Sequence, residues 1–322
     1  MLNALEKDVV PEVPANGDDN FRQTVLNGLS KEQKQIPPRF FYDYRGSELF
    51  EQITELQAYY PTRTEIGILS DAASELGELI GRDAVVIEFG SGSSRKTPLL
   101  LKALEDPLAY VPIDISGEFL TEMAGRLHSA FPAMKMLPVV ADFMQPMSLP
   151  PLPEGSPRLG FFPGSTIGNM DPQEAHRFLT RAGEILGENG QLLIGVDTRK
   201  DEQVLLDAYD DPEGITASFN LNLLDRINRE IDADFNIDAF RHEARWNNQA
   251  SRIEMHLVSQ QNQSVTVADR KVDFEKDETI HTENSHKYSP REFQILARAA
   301  GWKTDRVWTD NRAYFSVHLL SR

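Results

Sequence analysis

A short β-rich run, Val85–Phe89, ends in the turn Gly90-Ser-Gly92-Ser-Ser and passes directly into a helical pattern from about Lys96 to Leu104. A strand that turns through glycine into a helix is the context in which backbone N–H groups at a helix start can face a ligand. The rhythm repeats. Tyr110–Asp114, Val139–Asp142 and Leu159–Phe162 are short apolar runs that end in a turn, helical patterns at about 117–130 and 171–187 intervene, and Gln191–Asp197 is the next strand. Strands alternating with helices predict a parallel sheet with right-handed crossovers.

Outside this stretch the pattern changes. Residues 1–20, polar with two prolines, read as a flexible tail, and from Phe21 the pattern is helical. Leu49, Phe50, Ile53 and Leu56 share a helical face, as do Ile66, Leu69, Ala73, Leu76 and Ile80, with Pro61 breaking the chain between them. Residues 201–232 look helical, whereas 240–283 alternate as strands, with Ile253, Met255 and Leu257 facing opposite to Glu254, His256 and Val258. A helix at Ser289–Ala300, a Gly301-Trp302 turn and strands at Arg306–Thr309 and Tyr314–Leu320 close the chain. The organisation expected is an α/β domain from 62–196 and 287–322, with a second module combining 21–61 and 197–286.

Charge and composition narrow the partners. Lys and Arg number 33 against 50 Asp and Glu, a net −17, so a surface built for nucleic acid or anionic membrane is not expected. Cysteine is absent, which removes disulfides, thiolate metal sites and a cysteine nucleophile. No apolar run approaches the ~20 residues of a membrane helix, and the acidic N-terminus does not read as a signal peptide. A cytoplasmic protein is expected. The seven histidines show no metal-ligand spacing along the sequence, and His281 and His286 fall in an expected loop, so no metal is expected.

Three chemistries compete for the glycine loop. A dinucleotide fingerprint needs a third glycine where Arg95 stands. A phosphate-cradling loop ending in Gly-Lys-Thr is missed only by that same Arg95, before Lys96-Thr97, at a point where backbone must approach phosphate. The third reading is S-adenosylmethionine, with Glu88 two residues before Gly90-x-Gly92, Asp114 ending the second strand toward the ribose, and Asp142-Phe143 ending the third toward the adenine. Lys96 then faces the methionine carboxylate. Any α/β protein offers a glycine turn and strand-end aspartates, but the register of Asp114 and Asp142 favours the third reading. The closing helix, Gly-Trp and paired strands also resemble the end of class I methyltransferases, whose last strand inserts antiparallel.

Two clusters are candidates for choosing a substrate. Phe162-Pro-Gly164-Ser-Thr-Ile-Gly-Asn169 follows the fourth strand, where Asn169 either faces a ligand or caps the helix that opens at Asp171-Pro172. Thr282-Glu283-Asn284-Ser285-His286-Lys287-Tyr288 is either a functional return to the sheet or a solvated loop.

Taken with Phe41-Tyr42-Asp43-Tyr44-Arg45-Gly46-Ser47-Glu48-Leu49-Phe50 and Tyr59-Tyr60-Pro61-Thr62-Arg63, the three motifs around Gly90, Gly164 and Glu283 resemble the histidine-specific, S-adenosylmethionine-dependent methyltransferases, in order from about 36 to 320. The resemblance implies a class I, Rossmann-like domain with a mostly parallel sheet and an antiparallel last strand, plus a smaller α+β substrate-binding domain. It implies Nα-trimethylation of L-histidine to hercynine, opening ergothioneine biosynthesis, by a monomer with a small amino acid as its partner. Tyr42, Tyr59, Gly164, Asn169, Tyr209, Met255, Glu283 and Ser285 would form the amino-acid pocket. In it, Asn169 and Tyr209 take the carboxylate, Gly164 lies beside the α-amine, Tyr59, Glu283 and Ser285 hold the imidazole, and Tyr42 or water accepts the proton. Gly90, Gly92, Lys96, Asp114, Asp142 and Phe143 would hold the methyl donor. Methyl transfer to a neutral amine needs alignment more than a metal or a covalent nucleophile. Relatives acting on tryptophan or tyrosine, and a non-catalytic binding module, are the competing expectations.

Overall fold

The computed structural model describes residues 17–322 apart from Ser93 and Ser94. Residues 1–16 of the expected tail lie outside the described residues, and 17–20 are already helical, so the first helix starts four residues earlier than its apolar pattern. That helix, α1 (Gly17–Leu29), buries Phe21, Val25, Leu26 and Leu29 on one face. After the two-residue β1 (Lys34–Gln35) come α2 (Tyr44–Glu55), α3 (Tyr60–Asp71) and α4 (Ala73–Ile80). Asp43 caps α2 by accepting from Gly46 N at 2.7 Å, and Pro61 fits the first turn of α3, where no N–H is needed. The single helix expected through Ile66–Ile80 divides at Ala72. Ile66 is only partly buried there, because Glu65, Ile68 and Leu69 take the inward face of α3.

The central layer then runs β2 (Val85–Phe89), α5 (Thr97–Ala103), β3 (Ala109–Asp114), α6 (Gly117–Ala130), β4 (Lys135–Met136), β5 (Val139–Val140), β6 (Arg158–Phe162), α7 (Pro172–Leu186) and β7 (Gln191–Asp197). Next come α8 (Glu202–Tyr209), α9 (Ile215–Ile231), β8 (Phe240–Asn247), β9 (Arg252–Ser259), the hairpin β10 (Gln263–Val267) and β11 (Arg270–Phe274), and β12 (Thr279–His286). Finally α10 (Pro290–Ala299), β13 (Lys303–Thr309) and β14 (Phe315–Ser321) close the chain. The helical stretch expected at 201–232 is two helices, because Asp211 caps α9 by accepting from Ile215 N and Thr216 N.

The larger sheet has the order β13-β14-β7-β6-β2-β3-β4, with β5 also on β3. Its core pairs are parallel, while β14 lies antiparallel between β7 and β13, with Phe315 opposite Asp197. Every residue of β2 is buried, as befits a parallel strand covered on both faces. Apolar clusters coat the two faces, one around Phe89, Phe162, Phe178 and Trp302, the other around Leu76, Val86, Tyr110 and Leu193. The strand order reverses at β2, and the crevice beyond such a reversal is where open α/β sheets bind ligands.

The smaller sheet, β1-β12-β9-β8, joins the early and the inserted segments, with Lys34 paired to Ile280. Their shared core packs Phe41 against Phe219 with ring centroids 4.6 Å apart. The segment Thr282–His286 belongs to β12, so the alternative of a solvated loop is corrected: Thr282, Glu283 and Ser285 are buried against Asn220, Asn169 and Tyr209 from other elements. A bulge between His281 and Glu283 re-aims the strand at this point. No helix among the described residues is long and apolar enough to cross a membrane.

Candidate functional site

A cavity of about 460 Å³ lies over the carboxyl ends of β2, β3 and β6 and is closed from above by α2 and the turn before it. Gly90 and Gly92 both have positive φ, +71° and +46°, and a Cβ on Gly90 would stand 3.3 Å from the Phe143 ring. The turn therefore needs glycine and keeps its backbone open to the cavity. Asp114 accepts from Gly92 N at 2.9 Å and from Ser116 N at 3.0 Å, so its carboxylate is fixed against the turn. Burial raises its carboxyl from the ordinary value, against those backbone donors. Asp142 accepts from Met144 N at 2.8 Å, and Phe143 packs edge-on against Phe89, Phe162 and Phe178.

Glu88 sits beneath the turn, accepting from Thr97 Oγ1 at 2.7 Å and from the Tyr110 hydroxyl. Burial pushes its carboxyl up to about 8, opposed by those two hydroxyls and Lys96. Arg95, which decided against two readings of the loop, turns away from it and bonds Thr54 Oγ1 at 2.9 Å and Glu55 at 3.2 Å on α2. Lys96 faces the cavity with its ammonium 2.5 Å from Glu65 Oε2, a carboxylate with 1% side-chain exposure. The same oxygen accepts from Gly164 N at 2.8 Å. Lys96 thus has a resident protein partner that the sequence did not suggest.

On the opposite wall, Gly164 adopts φ +82° and Ser165 a left-handed φ of +58°. The Ser165 hydroxyl accepts from Asp197 N at 2.9 Å, which pins this turn to the end of β7. Asn169 does not cap α7. Asp171 does so, in a reciprocal box with Glu174, and this frees the Asn169 amide for the cavity. Asn169 Nδ2 donates to Glu283 Oε2 at 3.2 Å. Burial pushes the Glu283 carboxyl up to about 7, with Lys287 pulling the other way. Tyr42 and Tyr59 line the same cavity, and burial first, then neighbouring acidic groups, raises both hydroxyls well above 10. Each stays a neutral phenol at physiological pH.

Ten of the fourteen expected residues line this one cavity: Tyr42, Tyr59, Gly90, Gly92, Lys96, Asp114, Asp142, Phe143, Gly164 and Asn169. Glu283 joins them through Asn169. Ser285 and Tyr209 sit deeper, their hydroxyls 2.6 Å apart, and Met255 is buried opposite Glu283 on β9. One expected arrangement is altered. Asn169 and Glu283, assigned to opposite ends of an amino acid, are bonded to each other here, which supplies a buried carboxylate with a donor.

The sequence reading missed a buried ionic cluster behind Ser285. Asp197 binds Lys287 at 2.7 Å, Lys200 at 2.6 Å and the Tyr60 hydroxyl at 2.7 Å. Burial alone would raise the Asp197 carboxyl; Lys287 and Lys200 hold it below its ordinary value, while burial pushes Lys200 down to about 8. The available signal was Asp197 itself, an acidic strand end like Asp114. A second cluster also escaped, because its members come from two strands. Glu254, His256 and His281 place ligand-type atoms within 4.8 Å of one another. Arg252 and Asn247 already hold Glu254 Oε1, at 2.7 Å and 2.9 Å.

Over 307 residues the chain is 42% identical to the histidine N-alpha-methyltransferase of Mycobacterium tuberculosis (strain CDC 1551 / Oshkosh), covering 94% of this chain and 95% of that one. It is 31% identical to ergothioneine biosynthesis protein 1 of Neurospora crassa, over 90% of this chain and 33% of the other. It is 28% identical to a 4-dimethylallyltryptophan N-methyltransferase of Aspergillus fumigatus, over 91% of each. Residues 21–322 match the family described as histidine-specific methyltransferase, SAM-dependent. The chain is a member of the histidine-specific, S-adenosylmethionine-dependent methyltransferase family.

Proposed function

We propose that this enzyme methylates the α-amino nitrogen of L-histidine three times, giving hercynine in the first step of ergothioneine biosynthesis. The observation that carries the reading is Glu283, a buried carboxylate directly behind the cavity lining, held by the Asn169 amide that itself lines the cavity. An imidazole N–H gives this carboxylate a second donor beside Asn169, whereas a phenyl ring offers it none. The names of the relatives at 42% and 31% identity support the same substrate and pathway.

S-adenosylmethionine supplies an electrophilic methyl group on a sulfonium. The open glycine turn and two strand-end carboxylates suit it. Gly90, Gly92 and Lys96 would meet its amino-acid end, Asp114 the ribose, Asp142 and Phe143 the adenine. The chain's own task is to hold a neutral amine in line and to remove its protons. The Gly164 N–H is spent on Glu65, so the Gly164 carbonyl is the backbone group left for the amine. Tyr42, as a neutral phenol, relays a proton through its hydroxyl rather than holding a phenolate. Tyr59, Glu283 and Ser285 would orient the imidazole, Asn169 and Tyr209 the carboxylate, with Met255 packed behind them. Division into a methyltransferase domain (62–196, 287–322) and a substrate-binding domain (21–61, 197–286) belongs to this reading, as does a metal-free monomer in the cytoplasm without nucleic-acid or membrane partners.

Mass spectrometry of products formed from all twenty amino acids tests it. Mono-, di- and trimethylated histidine is the expected result. Methylated tryptophan or tyrosine instead would move the assignment toward the relative acting on a tryptophan derivative, and no product at all would favour a binding module.

A further inference from the structure

Lys287 follows β12, the strand that carries Glu283 and Ser285, and its side chain is wholly buried. An ammonium has three protons to donate and no acceptor. All three are placed: on Asp197 Oδ2 at 2.7 Å, on Ser285 Oγ at 2.7 Å and on the Tyr209 hydroxyl at 3.0 Å. The two hydroxyls lie 2.6 Å apart, so one of them donates to the other. The proton count is then fixed. Of two hydroxyl protons, one closes the Tyr209–Ser285 bond. The other cannot point at Lys287, because the ammonium has no lone pair to receive it.

We propose that Lys287, anchored by Asp197, is a positioning residue for the amino-acid substrate: it sets Tyr209 and Ser285 as a pair that presents a single hydroxyl proton to the bound histidine. The proposal rests on the histidine reading above. Asp197 is a rigid anchor, since it also accepts from Tyr60, Lys200 and Thr198 N. Without Lys287 each hydroxyl regains an unused lone pair, so either can donate to the other and the direction of the remaining proton is no longer set.

Lys287 also acts on Glu283 through charge. The groups facing Glu283 are the Asn169 amide from the turn after β6, Tyr42 ahead of α2, Tyr59 ahead of α3, Tyr209 at the end of α8, and Lys287 beyond its own strand. Among these described residues Lys287 is the one cation. It opposes the burial that favours the protonated carboxyl.

The test is calorimetric binding of histidine to the adenosylhomocysteine-loaded enzyme, with adenosylhomocysteine affinity measured separately, for wild type, K287M and K287R. The expected result is a loss of about 10-fold or more in histidine affinity for K287M, partial recovery in K287R, and adenosylhomocysteine affinity within about 2-fold of wild type. The acid limb of the kcat/KM profile for histidine should also move to higher pH in K287M, because Glu283 then needs a higher pH to ionise. Parallel loss of both affinities, or unchanged histidine affinity with an unmoved limb, overturns the proposal. Should K287M not fold, Y209F, S285A and their double variant keep the ion pair intact. Because either single variant already breaks the Tyr209–Ser285 bond, the double variant should cost clearly less than the sum of the two single losses; fully additive losses overturn the proposal. Failure of the wild-type enzyme to bind histidine at all strikes the substrate reading first, and is recognised because it precedes any substitution.

Discussion

Asn169 Nδ2 donates to Glu283 Oε2 across 3.2 Å, joining the turn after β6 to a strand 114 residues further on. The bond ties the wall that carries Gly164 to the wall that carries the carboxylate. Replacing Glu283 by Ala removes a buried acceptor and leaves the imidazole N–H unmatched, so histidine kcat/KM should fall by about 2–4 kcal/mol. Tryptophan, if turned over at all, should be affected less. Steady-state kinetics on both amino acids checks this, and equal losses would remove Glu283 from the imidazole site.

Two residues later in the same turn the roles are different. Asp171 accepts from Gln173 N and Glu174 N at 2.8 Å each, while Asn169 touches no helix N–H at this start. D171A should lower stability by about 1 kcal/mol through loss of the cap, with histidine affinity unchanged. N169A should weaken histidine binding, and any stability it loses should come from the Glu283 carboxylate left without a donor rather than from a lost helix cap. Urea denaturation and calorimetry on the two variants separate the cases, and a swap of the two phenotypes would restore Asn169 as the cap.

Asp114 is expected to hold ribose hydroxyls from the end of β3, and it also fixes the glycine turn through Gly92 N. D114A removes both, and binding of adenosylhomocysteine should weaken by about 1–3 kcal/mol. Calorimetry that found unchanged affinity would take Asp114 out of the cofactor site.

The strands of the larger sheet were legible because a strand buried on both faces is a short, mostly apolar run, and Val85–Phe89, broken only by Glu88, and Leu192–Val196 within Gln191–Asp197 are such runs. The antiparallel β14 was expected from the resemblance of the closing helix, Gly-Trp and paired strands to the end of class I methyltransferases. The site was legible where chemistry sits at strand ends, as at Asp114 and Gly164. It was not legible where polar residues are buried against one another. Glu65 lies on the inward face of α3 beside Ile68 and Leu69, and so displaced the helix stripe read from apolar spacing alone. Thr282–Lys287 looks like a loop by composition, because the partners that make it a buried strand, Asn220, Tyr209 and Asp197, lie far away in sequence. Spacing along the chain likewise does not show that His256 and His281 stack across two strands, with centroids 4.9 Å apart.

Glu88 makes stability depend on pH in a definite direction. Burial, opposed by Tyr110, Thr97 and Lys96, lifts its carboxyl from 4.5 to about 8. A raised carboxyl means that the folded state holds its proton more tightly than the unfolded chain. The stability from this group is therefore fully present below pH 4.5 and is lost as pH rises through about 8. E88Q keeps the hydrogen-bonding shape without the titration. Denaturation midpoints of wild type should fall relative to E88Q between about pH 5 and pH 8, and midpoints that run parallel for the two proteins would show that Glu88 is ionised throughout.

The Lys96–Glu65 pair offers the sharpest separation of structure from ligand binding. Glu65 has 1% side-chain exposure and Lys96 13%, and Glu65 also satisfies Gly164 N. E65A strands the mostly buried ammonium and the Gly164 N–H together, so a loss of about 3–5 kcal/mol in unfolding free energy is expected. Removing both charges at once, as in E65L/K96M, strands only the N–H, and most of that stability should return. Adenosylhomocysteine affinity should stay below wild type in the double variant, because Lys96 is the group proposed to meet the methionine carboxylate. Urea denaturation and calorimetry on the same two proteins measure the two quantities independently. Recovery of both in the double variant would make Lys96 a partner of Glu65 alone, and would leave the carboxylate of the methyl donor to the open backbone of the glycine turn.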